Sequence, residues 1–201
     1  MHPNYDQETA RLMKSLYPDE FFEAEKLPKP HKGKETIKAI VIGADPTYLQ
    51  DNGKFDTVFG LENPDSKFFN IILDNLNEIG LSLNNIYVQN LIKSYFRLET
   101  SKNKIWSHSA LLWLENLKRE IDAQFGREIP IIATAEIILK TMVYREYTDG
   151  MTAEKIYKQK IVFSPEQNYF GRNLIALFRH HEYRLTKWQS YADHIKRYFL
   201  I

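Results

Sequence analysis

The chain has 201 residues, of which 43% are hydrophobic and 26% are charged, and this composition is typical of one folded domain with a sizeable core. Its formal net charge of +1 excludes a generally basic surface, so any face that binds nucleic acid must be local. The chain has no cysteine, which excludes disulfides and cysteine-based metal sites. It shows neither a long apolar run nor a secretory signal, and we therefore expect a cytoplasmic protein that does not bind membranes.

The first elements of the chain are a predicted helix, a connector and a buried strand. Residues 7–17 have the apolar spacing of a helix, and residues 27–34 form a polar connector that contains proline. The run of β-branched residues at 39–42 predicts a strand buried on both faces, as in a parallel sheet covered by helices. A polar loop over residues 46–64 follows. The predicted helix carries Ala10, Leu12 and Leu16 on one side.

Helices and strands then alternate along the rest of the chain. We predict helices at residues 64–80, 107–125, 135–142 and 188–199, a further helical segment at 174–178, and strands at 85–91, 129–134 and 160–163. This alternation indicates βαβ units. We therefore expect an α/β protein, a three-layer α/β/α sandwich with a central four-stranded, mostly parallel sheet. One domain would span residues 1–201, with residues 1–36 as its N-terminal helix and connector.

Distinctive polar residues follow three of the predicted strands. Asp45 comes after the first strand, Asn90 ends the second, and Ser164 follows the fourth. Gly43 lets the backbone turn tightly or approach a ligand closely, and Pro46 stiffens the exit from the first strand. Because the carboxyl ends of parallel strands lie along one edge of a sheet, we expect an acid, an amide and a hydroxyl at one cleft. Such a set suits a polar, planar ligand, and the amide matches the edge of a nucleobase.

Each of these residues also has a purely structural interpretation. Asp45 suits turn initiation, Asn90 suits capping of the next segment, and Ser164-Pro165 is a common turn dipeptide. Phe59 suits a buried anchor for its loop. The order and spacing of the residues, taken together, favour the functional interpretation.

The run Gly43-Ala44-Asp45-Pro46, with Phe59 and a strand ending in Asn90, resembles the uracil-DNA glycosylase superfamily. In that family a Gly-x-Asp-Pro turn follows the first core strand. A phenylalanine then stacks on the extruded base, and an asparagine at a strand end recognises the edge of uracil. The resemblance extends over roughly residues 39–178, and the combination is more specific than any one motif.

The resemblance implies a role for each matching residue. Asp45 would orient or activate water for attack at the sugar C1′, or stabilise positive charge on the sugar. Phe59 would stack on the flipped base, and Asn90 would hydrogen-bond its amide edge. A base must leave the duplex stack before its glycosidic bond can be reached. The pocket would be lined by Gly43, Ala44, Pro46 and Thr47.

Two positions depart from the family pattern. The second motif of the family is usually His-Pro-Ser, whereas this chain places Ser164 where the histidine would be, and losing one such donor can cost on the order of 10²–10³ in rate. We expect His180 and His181, further downstream in a helical pattern, at the surface or at a helix end. Thr47 follows the proline where one branch has a tyrosine, so exclusion of thymine is not implied.

The segment after Ser164 offers a candidate DNA face. In the family, the loop after the second motif inserts into the duplex, which implies contacts from Pro165 and a wedge formed by Tyr169 or Phe170. Arg172 would bind phosphate. The alternative is a solvated basic helix that follows an aromatic core anchor.

The leading hypothesis is a monomeric DNA glycosylase, without metal or cofactor, that hydrolyses the N-glycosidic bond of uracil or a related base in DNA during base-excision repair. The alternative is a protein of the same fold that binds a nucleobase, a nucleotide or DNA without cleavage. A hydrolase or transferase unrelated to DNA is disfavoured, because the chain has no nucleophile elbow, phosphate-binding glycine loop or dinucleotide fingerprint.

Overall fold

A computed structural model describes residues 5–21, 27–46, 55–61 and 69–200. The strands of these residues form one mostly parallel sheet. Its strands are β1 (His31–Lys32), β2 (Ala39–Gly43), β3 (Ile86–Asn90), β4 (Ile131–Ala133), β5 (Val162–Phe163) and β6 (Leu174–Ala176). Their order is β1-β3-β2-β4-β6-β5, in which the four central strands are parallel and the two outer strands are antiparallel. The α/β class is confirmed, but the sheet has six strands and not four.

The four parallel strands are buried along their whole length. β2 is made almost entirely of Ala, Ile and Val, so both faces of the strand can be covered by apolar groups without exposing polar side chains. Beyond the strand ends, the pairing continues in two hydrogen bonds, from Leu91 N to Gly43 O at 2.8 Å and from Ile92 N to Ala44 O at 2.9 Å. The connection after β3 therefore leaves the sheet beside the turn that follows β2.

The helices of the described residues pack around this sheet in one hydrophobic cluster that extends from Met13 to Phe199. None of them has the length and apolar character needed to span a membrane. The start predicted for the second helix, near residue 64, lies outside the described residues, and Gly80 ends that helix as predicted, with a φ of +79°. The helices are α1 (Tyr5–Leu16), α2 (Asn70–Glu78), α3 (Trp106–Gln124), α4 (Glu136–Met142), α5 (Arg145–Thr148), α6 (Ala153–Gln159) and α7 (Gln189–Lys196).

The side of α1 that carries Leu12 and Leu16 is largely exposed. Met13 is the buried residue of the helix, whereas Leu12 and Leu16 are 47% and 50% exposed. The helix is held by a polar contact, in which Lys93 Nζ donates to Asp6 Oδ2 at 2.5 Å. The buried Lys93 thus pairs with an acidic residue of α1, since an unpaired buried charge is costly.

The fourth parallel strand is β6, which the sequence predicts as helix. The predicted fourth strand corresponds to β5, a two-residue strand at the edge of the sheet that pairs antiparallel with β6. β6 lies in the unbroken apolar run Leu174-Ile175-Ala176-Leu177-Phe178, and such a short run has no periodicity that separates a buried strand from a helix. Because β5 is antiparallel to β6, Ser164, which follows β5, lies at the edge of the sheet opposite the predicted cleft.

Candidate functional site

Gly43, Phe59 and Asn90 meet at the carboxyl ends of β2 and β3. Gly43 pairs with Asn90 across the two strands. A Cβ added to Gly43 would lie 2.5 Å from Asn90 Oδ1 and 2.7 Å from Phe59 Cε2, so any larger residue would displace one or both side chains. Three residues expected at one pocket are therefore in contact.

Phe59 reaches this position through an unusual backbone conformation. It lies in a single 3₁₀ turn, Val58–Gly60, with a φ of 60° and a ψ of 7°. A left-handed backbone costs a non-glycine residue about 1–2 kcal/mol, and such strain is often found at ligand sites. The turn is anchored by a hydrogen bond from Val58 N to Lys29 O at 3.0 Å. The ring of Phe59 packs on that of the buried Phe69, with centroids 4.6 Å apart, and stays partly exposed.

Asn90 has a buried amide group with unused hydrogen-bonding capacity. The residue is 1% exposed, and its Nδ2 has no hydrogen-bond partner in the part of the chain that the structure describes. A buried donor without a partner costs about 1–3 kcal/mol. A bound molecule that supplies an acceptor would recover this cost, and because the nitrogen is fully buried, it can be reached only after neighbouring side chains move.

The main chain of Asn90 is fixed by the side chain of Gln89. β1 pairs with β3 only as far as Val88, so the N–H of Asn90 has no strand partner on that side. Gln89 Oε1 accepts this N–H at 2.9 Å, while Gln89 Nε2 donates to Glu120 Oε1 at 3.0 Å. Glu120 also accepts hydrogen bonds from Lys93 and Tyr87. Burial alone would raise the pKa of Glu120, but the charge and hydrogen bond of Lys93, together with the hydrogen bonds from Tyr87 and Gln89, lower the pKa overall, so an ionised carboxylate anchors the end of β3.

Asp45 is held by two donors that bind the same oxygen. Oδ1 accepts the hydroxyl of Thr100 at 2.6 Å and the indole N–H of Trp106 at 2.7 Å. No described residue donates to Oδ2. Burial raises the pKa of the Asp45 carboxyl above its ordinary value, and the two hydrogen bonds and the charge of Arg179 oppose this rise only in part. A carboxylate with a raised pKa and one oxygen that no described residue occupies is suited to act as a proton acceptor.

The residues after β6 reach the same edge of the sheet. Arg179 is exposed, and its N–H donates to Thr134 O at 3.0 Å beside the end of β4. His180, also exposed, accepts the N–H of Glu182 at Nδ1, at 3.3 Å. In the neutral ring the proton therefore lies on Nε2, which is a donor. The sequence analysis expected His180 at the surface, as observed, but it placed neither residue beside Asp45, although an apolar run directly before Arg179 is the same signal that precedes Asp45.

Ser164 lies at the opposite edge of the sheet from Asp45. Because β5 runs antiparallel to β6, the end of β5 is next to the start of β6. Ser164 begins the 3₁₀ turn Pro165–Gln167, where its hydroxyl donates to Glu166 Oε1 at 2.5 Å. The prediction that Ser164 acts beside Asp45 is therefore wrong, and Pro165, which the resemblance implied as a DNA contact, also lies at the opposite edge.

The predicted DNA contacts after Ser164 are likewise not at this site. Phe170 and Arg172 are 0% exposed, so neither can contact DNA from these positions. Arg172 donates to Asp122 Oδ1 at 2.9 Å and to Phe125 O at 2.8 Å, and so satisfies the end of α3. Tyr169 is 42% exposed, but it precedes β6 and lies at the edge opposite Asp45.

The remaining predicted pocket residues are Ala44, Pro46 and Thr47. Ala44 and the buried Pro46 lie in the turn that carries Asp45, whereas Thr47 is outside the described residues. Within the described ranges, no group of three or more acidic or histidine side chains is placed to hold a metal ion. No protein-family model and no curated protein matches the chain.

Proposed function

We propose that the chain hydrolyses the N-glycosidic bond of uracil or a related base in DNA, as in base-excision repair. The observation that carries the proposal is the meeting of Phe59 and Asn90 at Gly43, where Asn90 turns its Oδ1 toward Gly43 and keeps an Nδ2 without a partner among the described residues. An aromatic face and an asparagine amide are complementary to the face and the edge of a nucleobase. Asp45, two residues beyond Gly43, supplies a carboxylate at the same edge of the sheet.

The chemistry divides among these residues. The base leaves the stack, its face packs on Phe59, and a carbonyl of its edge accepts the N–H of Asn90 Nδ2. The free oxygen of Asp45 accepts a proton from the attacking water or faces the positive charge that develops on the sugar. We assign the role of the second-motif histidine to His180, whose Nε2–H is a donor for the departing base. Arg179 offers a cation for a neighbouring phosphate.

The proposal also includes the finer features that the resemblance implies. These are a three-layer α/β/α arrangement, a monomer that works in the cytoplasm, and activity without a metal or another cofactor. One observation favours the second candidate, a protein that binds the base without cleaving it. His180 is exposed and is not preorganised by any described partner at Nε2, so the electrostatic help for the leaving base depends on contacts made by DNA.

The test uses single- and double-stranded oligonucleotides that contain one uracil, with abasic-site formation as the measurement. Asp45→Asn is expected to lower the rate by about 10²–10⁴-fold, the range typical of a positioned acid or base. Ser164→Ala is the matched control, since this residue lies at the opposite edge, and its rate should equal that of the parent. Binding without cleavage, weakened by Phe59→Ala, would support the second candidate. If the protein fails to bind any of these DNAs at low salt, cleavage and binding of DNA are both ruled out, which leaves only the binding of a free nucleobase or nucleotide.

A further inference from the structure

The segment from the end of β3 to the first residue of α3 supplies both donors to Asp45. Thr100 begins the short 3₁₀ turn Thr100–Lys102, and Trp106 is the first residue of α3. Trp106 is 1% exposed, so its indole is fixed by the surrounding core. The two hydrogen bonds, of 2.6 Å and 2.7 Å, end on Oδ1 and leave Oδ2 without a partner among the described residues. The carboxyl group therefore has two chemically different oxygens.

We propose that Trp106 and Thr100 are positioning residues that make Oδ2 of Asp45 the reacting oxygen. The proposal rests on the glycosidase function proposed above. An indole N–H can donate but cannot accept, so Oδ1 cannot carry a proton toward Trp106 without losing that hydrogen bond. A proton that reaches Asp45 therefore goes to Oδ2, the oxygen that no described residue occupies.

This assignment fixes the proton in the hydrolytic step. The oxygen of the attacking water forms a bond to C1′, and the bond from C1′ to the base nitrogen breaks with its electron pair leaving on the base. The proton lost by the water passes to Oδ2, while Oδ1 keeps both of its donors. No further reactant is needed for the balance. The arrangement also holds the carboxylate in one rotamer, which shortens the search for a reactive geometry.

Among the described residues, the charge that acts on Asp45 is that of Arg179, while Thr100 and Trp106 are neutral. Burial raises the pKa of Asp45, and the two donors lower it in part because they favour the ionised form. Removing the indole N–H is therefore expected to raise this pKa further. A variant without the donor should need a higher pH to ionise Asp45.

A direct test observes the indole N–H by NMR and does not depend on cleavage. The chain has three tryptophans. Only the Trp106 indole resonance should shift as Asp45 titrates, and the shift should disappear in Asp45→Asn. Trp188, whose indole donates to Glu182 O at 2.8 Å, and Trp113, whose Nε1 has no described partner, serve as internal references. A Trp106 resonance that does not follow Asp45 would overturn the positioning role and leave the glycosidase proposal untouched.

The kinetic test compares Trp106→Phe with Trp113→Phe. Both variants lose a buried indole N–H, but only that of Trp106 bonds to a carboxylate. Trp106→Phe should lower kcat by about 10- to 100-fold with little change in KM, and it should move the acidic limb of the pH profile to higher pH. Trp113→Phe should leave the profile in place. Identical profiles for the two variants would contradict the proposal, whereas full cleavage by Asp45→Asn would contradict the proposed function instead.

Discussion

Gly43→Ala is the sharpest perturbation of the candidate pocket, because it adds one methyl group at the point where Phe59 and Asn90 meet. The added Cβ would lie 2.7 Å from Phe59 Cε2 and 2.5 Å from Asn90 Oδ1. Non-bonded carbon atoms settle at about 3.5–4.0 Å, so the ring must retreat by at least about 0.8 Å. Its retreat is blocked by the buried ring of Phe69, with centroids 4.6 Å apart.

The size of the effect follows from these distances. Overpacking of this kind typically costs about 1–3 kcal/mol in the free energy of unfolding. A displacement near 1 Å at a reacting group can cost about 10² in rate, so we expect kcat/KM on a uracil-containing oligonucleotide to fall by about that factor. The protein should still fold, since the changes fall on a partly exposed ring and one amide.

Two measurements separate lost geometry from lost stability. Gly80→Ala is the control, because the added Cβ meets nothing within 4 Å while the φ of +79° makes the residue strained. That variant should lose about 1–2 kcal/mol of stability and keep its activity. A double-mutant cycle with Phe59→Ala then measures the coupling, which should reach about 0.5–3 kcal/mol for residues in contact. If Gly43→Ala costs the same free energy in the Phe59→Ala background, the ring does not pack on Gly43 and the reasoning is refuted.

Three further predictions concern single side chains. Asn90→Leu replaces an unpaired buried amide by an apolar group of similar shape, so urea unfolding should show unchanged or higher stability while cleavage falls by about 10²-fold; a large loss of stability would show that the amide is already paired. Arg172→Met should cost about 3 kcal/mol in urea unfolding, because Asp122 and the end of α3 lose their donor, while DNA binding by the folded protein stays the same. Burial raises the pKa of Asp45 above its ordinary value of 3.8, so the native state is stabilised at low pH and loses that stability as the pH rises through the native pKa. Asp45→Asn should therefore unfold at a higher temperature than the parent near pH 7, by an amount that shrinks below pH 3.8, and an equal melting temperature at every pH would count against a buried, ionised Asp45.

The pairing of Gly43 with Asn90 at the ends of β2 and β3 could be predicted from the sequence because its signals are local. A β-branched run ending in glycine specifies a buried strand and a tight exit, and an asparagine at the end of the next strand falls beside it in a parallel register. The contact of Phe59 with Gly43 could be predicted only with the help of the family resemblance, since a phenylalanine with a positive φ has no local sequence signal. The four segments predicted as strands differ from β2, β3, β4 and β5 by only one or two residues at either end.

The opposite edge could not be predicted because its structure depends on pairing between distant residues. β5 has two residues, and its antiparallel direction is set by β6, which follows a connection of ten residues. The prediction of a helix at β6 then removed Arg179 and His180 from the site and placed Ser164 there instead. The wrong assignment of β6 as a helix thus put Ser164, Arg179 and His180 at the wrong edges of the sheet. The direction of a strand decides which of its ends lies at the carboxyl edge of the parallel strands.

Two buried asparagines show why the site belongs at the carboxyl edge. Asn168, at the opposite edge, donates to Ser164 O at 2.8 Å and to Arg172 O at 2.7 Å, and accepts Phe170 N at 3.0 Å, so the protein itself uses its amide. Asn90 leaves its amide nitrogen without a described partner. The same edge carries the left-handed Phe59 and Asp45, whose carboxyl pKa is raised by burial, and each of these features lowers the stability of the folded protein. Because such costs are often offset by a ligand, they support our proposal that binding occurs at Asn90, whereas Asn168 has a structural role.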